Sequence, residues 1–159
     1  MPQDTFRART VLPALLGACS LALAPVARAQ FHTVPVPQCA PAAPSASTDA
    51  AAYRLDAAHR LYDCYPSRIY RGRVPPLLYG VMVVEAQVDA AGQLVDLSVV
   101  RQPAAEEVQP WVLALIRGAA PYPVPAHLPG QAAVVVETFF VDRSGLFQVL
   151  SLTEGQRDR

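Results

Sequence analysis

Val88-Asp89-Ala90-Ala91-Gly92 and Val141-Asp142-Arg143-Ser144-Gly145 are the two stretches that decide the fold of this chain. In each, an aspartate can accept hydrogen bonds from its own loop backbone, and a glycine three residues on can take a positive φ without steric cost. Each stretch lies between apolar runs, the setting in which a short loop reverses one strand into the next. Before the first turn, Met82, Val84, Ala86 and Val88 alternate with Val81, Val83, Glu85, Gln87 and Asp89. After it, Val95, Leu97 and Val99 alternate with Asp96 and Ser98, so both runs have one apolar face. The second turn is preceded by Gln131 to Val141, with Val134, Val136, Thr138 and Phe140 opposed to Val135, Glu137 and Phe139. A last strand is expected over Leu146 to Leu152.

Between the hairpins one helix is expected. Glu106 and Glu107 open it and Arg117 stands near its end, matching the helix dipole. Val108, Val112, Leu115 and Ile116 form its apolar stripe, and Gly118 is a stop signal. Pro110 sets the regular start near Gln109, and Trp111 is expected to cover the sheet edge. A second helix is expected upstream, capped by Thr48 or Asp49, with Ala51, Ala52, Leu55, Ala58, Leu61 and Tyr62 on one face. Asp56 and Arg60 form an i, i+4 pair on its other face. Tyr65-Pro66 ends it, because a residue before proline is pushed out of the helical region. Ser67 to Val74 reads as a further helical turn, with Arg68, Tyr70, Arg71 and Arg73 at its surface.

The domain therefore runs over 48–155, with a disordered tail at 156–159. Residues 30–47 carry Pro35, Pro37, Pro41 and Pro44 among Ala, Ser and Val, the composition of a flexible, extended linker. Residues 1–29 read as an export signal: Arg7 and Arg9, an apolar run from Val11 to Val26, then Ala27-Arg28-Ala29 before Gln30. That places the protein in the periplasm. Two other fates stay open, retention as an anchor and acylation at Cys19, because Leu16-Gly17-Ala18-Cys19 resembles a lipobox. Cys39 and Cys64 remain after cleavage, an even pair in an oxidising compartment, and a disulfide between them would staple the linker to the end of the first helix.

All thirteen basic residues are arginine. Cleavage after Ala29 leaves ten basic against twelve acidic side chains, hence a net charge of −2. That balance gives no reason to expect a nucleic acid or an anionic membrane surface as partner. Catalysis is not expected. The three histidines, His32, His59 and His127, are scattered, and there is no Cys-x-x-Cys, no His-x-x-x-His and no glycine-rich phosphate loop. No small-molecule cofactor or metal is expected either. The bland reading of Glu85, Asp89, Asp96 and Glu137 is a solvated sheet face.

The order of these features resembles the C-terminal domain of the TonB family of energy transducers. The resemblance rests on Tyr65-Pro66, the strand Gly80 to Val84, and Asp89-Ala90-Ala91-Gly92 leading into Leu97 to Val100. It extends to the exit Ala119-Ala120-Pro121-Tyr122-Pro123-Val124-Pro125 and the strand Val134 to Val141, so it covers about residues 60–150. It implies an α+β fold, a two-layer sandwich of an antiparallel three- to four-stranded sheet with helices on one face. It also implies binding of a partner protein by β-strand addition, as at an outer-membrane transporter or an envelope scaffold. The docking edge would be Gln131 to Val141, with Tyr65, Pro66, Arg68, Val135, Glu137 and Phe139 as partner-binding residues. A weak homodimer is admitted by the same chemistry. Two departures stand against a full transducer: a cleavable signal replaces the membrane helix, and the spacer is short. The expectation is an exported, stand-alone binding module. Its alternatives are a membrane-anchored transducer and a lipid-anchored envelope protein.

Overall fold

The computed structural model describes residue 31 and residues 33–155. The expected export signal at 1–29, Cys19 and the expected tail at 156–159 lie outside the described residues. The elements are α1 (Ala50–Cys64), β1 (Gly80–Val88), β2 (Leu94–Arg101), α2 (Val108–Gly118), β3 (Ala133–Val141) and β4 (Phe147–Val149). The four strands form one antiparallel sheet in the order β2-β1-β3-β4. With two helices this is an α+β fold compatible with a two-layer sandwich.

Both turns have the same wiring. Asp89 Oδ1 accepts from the amides of Ala91 (2.9 Å) and Gln93 (2.8 Å), and Gly92 at φ +76° donates back to the Asp89 carbonyl. Asp142 Oδ1 accepts from the Ser144 amide at 2.7 Å, and Gly145 at φ +75° returns to the Asp142 carbonyl. Gly92 has a second reason to be glycine. Its carbonyl accepts from the Tyr122 amide at 2.7 Å, so a Cβ there would overlap the Tyr122 main chain.

The inner sheet face buries Met82, Val84, Val88, Val135, Phe139, Val141, Phe147 and Val149 against both helices. In β1 the alternation is as expected. In β2 it is broken by two bulges. The pairing with β1 skips Val95 and Val100, which are 59% and 61% exposed, and Leu94 packs on the core instead of Val95.

The buried stripe of α1 differs from the expected one. It is Tyr53, Ala57, Ala58, Leu61 and Cys64, while Ala51 and Leu55 face solvent. Tyr53 turns the helix: its ring is buried and its hydroxyl donates to the Pro123 carbonyl at 2.6 Å. Asp56 and Arg60 take separate partners. Asp56 accepts from the hydroxyls of Ser45 and Ser47, and Arg60 is buried and donates to the carbonyls of Ala119 and Ala40. Trp111 does not cap a sheet edge; it lies in the core between Phe31 and Phe147, edge-on to both.

Residues 33–47, expected to extend freely, are strapped to the body. Cys39 and Cys64 form a disulfide with Cα atoms 4.1 Å apart. Gln38 donates to the Cys64 carbonyl, and Ser45 donates to that of Val124. The segment has no helix or strand of its own, and from Gln38 onward it is held by bonds to α1 and to the crossover after α2.

Candidate partner-docking edge

In a strand, main-chain donors point alternately to either side. Val141 presents its carbonyl toward the start of β1, where Tyr79 donates to it, whereas the Thr138 amide donates to the Glu137 carboxylate at 2.9 Å. The repeat therefore turns the main-chain groups of Val134, Val136 and Thr138 away from β1. Among the described residues the one strand on the outer side of β3 is β4, which pairs with Phe139, Phe140 and Val141.

Why β4 stops there is local chemistry. Continued in register, it would set Ser151 opposite Glu137. The chain instead coils into a short 3-10 turn, Leu150–Leu152. Glu137 drives this: its carboxylate accepts from the Ser151 amide and hydroxyl as well as from Thr138. The expected strand Leu146 to Leu152 is thus reduced to Phe147–Val149.

The far side of β4 is closed as well. Ser67 to Val74 is not a helical turn throughout: a single 3-10 turn, Pro66–Arg68, is followed by extended chain along β4. Ile69 bridges Phe147 in parallel, and Tyr70 donates to the Phe147 carbonyl at 2.9 Å. The buried Gln148 side chain holds the carbonyls of Tyr70 and Gly72. Ile69 and Val74 pack inward.

What remains open on β3 is a short edge at Val134 and Val136, whose side chains are 53% and 43% exposed on the sheet face away from the helices. The strand starts at Ala133, not Gln131, because Gly130 and Gln131 sit at positive φ. The other free edge is β2, where the main-chain groups of Leu97 and Val99 face away from β1 between the two bulges while their side chains pack on the core.

The structure separates the expected binding residues. Val135, Glu137 and Phe139 lie on the inner face of β3, buried beneath α1. Their outward neighbours Val134 and Val136 occupy the accessible positions. The error is one of face: an edge strand offers its main chain sideways, but only alternate side chains accompany it into solvent. Tyr65 is likewise buried. Its hydroxyl donates to the Leu115 carbonyl at 3.0 Å, burial raises its pKa, and its oxygen lies where a Cβ on Gly118 would stand. Pro66 is exposed and Arg68 half-buried, on the 3-10 turn at the end of α1. Among the described residues no group of His, Cys, Asp and Glu is placed to hold a metal, and no helix is long and apolar enough to cross a membrane.

No protein-family model, curated protein or solved structure matches the chain.

Proposed function

We propose that this chain is an exported binding module of the cell envelope, similar in plan to a TonB C-terminal domain, that captures a partner protein by strand addition at a sheet edge. The observation that carries this reading is the open segment of β3 at Val134 and Val136, whose outward main-chain groups have no partner among the described residues. The partner supplies an extended segment whose main chain gives affinity and whose alternate side chains meet Val134 and Val136. The Cys39–Cys64 bond supports an oxidising compartment, consistent with export to the periplasm.

Val136→Pro tests the edge. It removes one outward amide and no bond to β1, a change that edge strands tolerate. The variant is expected to fold like the wild type by circular dichroism yet to lose a partner that the wild-type protein retains from envelope extracts. Retention by Val136→Pro together with loss by Val99→Pro would move the site to β2. Retention by both folded variants would end the strand-addition reading.

A further inference from the structure

The described part of the arm is unevenly attached. From Gln38 onward it is held by main-chain bonds and the disulfide. Residues 33–37 make no hydrogen bond to other described residues, two of the five are prolines, and Val36 is 79% exposed. Yet beyond this loose stretch Phe31 is 5% exposed. Its ring stacks on Tyr79 at 5.4 Å with 17° between planes, and meets Trp111 edge-on at 5.4 Å.

The slot that receives Phe31 is built independently of it. The Tyr79 hydroxyl donates to Glu107, and the Arg143 guanidinium lies 5.1 Å from the Tyr79 ring centre. Trp111 is backed by Phe147 at 6.2 Å. The Trp111 indole N–H is buried without a hydrogen-bond partner among the described residues. Two walls of the slot are aromatic rings that meet Phe31 stacked and edge-on, so the slot prefers a ring to an aliphatic side chain.

We propose that the Tyr79–Trp111 slot is a second docking site, for an aromatic side chain near the leading end of an extended, proline-containing partner peptide, and that Phe31 is its tethered internal competitor. The chemistry of the occupant is given by the segment seated there: a ring, then a run with two prolines. Phe31 can leave while the disulfide at Cys39 keeps the arm attached, because the bonds that hold the arm begin at Gln38. The eight-residue leash holds Phe31 at an effective concentration of about millimolar, which a partner in trans must overcome. The proposal rests on the reading of the domain as a binding module. It concerns the Val141 end of β3, where Tyr79 precedes β1, whereas the open edge lies at the Ala133 end.

The test uses the single tryptophan, Trp111, as reporter in the disulfide-intact chain. The probe is a nine-residue peptide with the sequence of residues 30–38. Phe31→Ala is expected to shift Trp111 emission to the red as the slot fills with water. The probe should reverse that shift saturably, bind the wild type at least tenfold more weakly, and lose binding when its phenylalanine is replaced by alanine. Phe31→Leu stands in if Phe31→Ala does not fold; failure of both to fold makes Phe31 a core residue and overturns the proposal. Absence of saturation overturns it, as does equal binding to wild type and variant. Concentration-dependent dimers that vanish in Phe31→Ala would overturn it in favour of arm exchange between copies. Val136→Pro should leave probe binding to Phe31→Ala unchanged, so the slot and the edge stand or fall separately.

Discussion

Three phenol hydroxyls point into main-chain carbonyls around α2: Tyr53 on Pro123, Tyr65 on Leu115 and Tyr122 on Ile116. The Leu115 and Ile116 carbonyls lie in the last turn of α2, where internal donors run out; that of Leu115 also accepts from the Ala119 amide. Burial raises all three pKa values, that of Tyr53 to about 12 with Asp56 adding to it; Tyr62 is raised by burial too. A raised phenol binds its proton more tightly in the folded chain than in the unfolded one, so stability is full below about pH 10 and falls as pH rises beyond it. Chemical denaturation between pH 9 and 12 should show midpoints falling from about pH 10 upward, in step with phenolate absorbance; a flat profile would contradict these contacts. Gly92→Ala meets both a positive φ and the Tyr122 main chain. It is expected to cost about 2–3 kcal/mol, measured as a drop in denaturation midpoint with unchanged m-value.

At the scale of elements, the two Asp-to-Gly turns, the alternation in β1 and the existence of both helices were legible, because each follows from local spacing. The bulges of β2 were not: Val95 and Val100 belong to the same β-forming run as their neighbours, and only pairing with β1 shows which residue is skipped. Nor was the early end of β4, which depends on a carboxylate distant in sequence. Glu137 is expected to behave as both support and blockade. Glu137→Ala leaves the Ser151 hydroxyl and the Thr138 amide without their acceptor, at a cost of about 2–3 kcal/mol. It also frees one more outward amide, so the folded variant should self-associate more than the wild type in sedimentation. Unchanged association in a folded variant would mean that the carboxylate does not guard the edge.

For the molecule as a whole, the arm is part of the domain. The Cys39–Cys64 pairing was legible from the expected export and from parity, but the seat of Phe31 and the bonds of Arg60 to Ala40 and Ala119 required the fold. Closing that loop constrains the unfolded chain by about 3–4 kcal/mol. Cys64→Ser should therefore lose stability of that order, and limited proteolysis should cut first within residues 33–47. The open segment of β3 runs from Ala133 toward Thr138 and there meets Glu137 and the Leu150–Leu152 turn. It is a cul-de-sac. A visiting chain can lie alongside for only a few residues before it must stop or swing outward, so this rim is suited to frayed ends and sharp corners and turns away long straight strands.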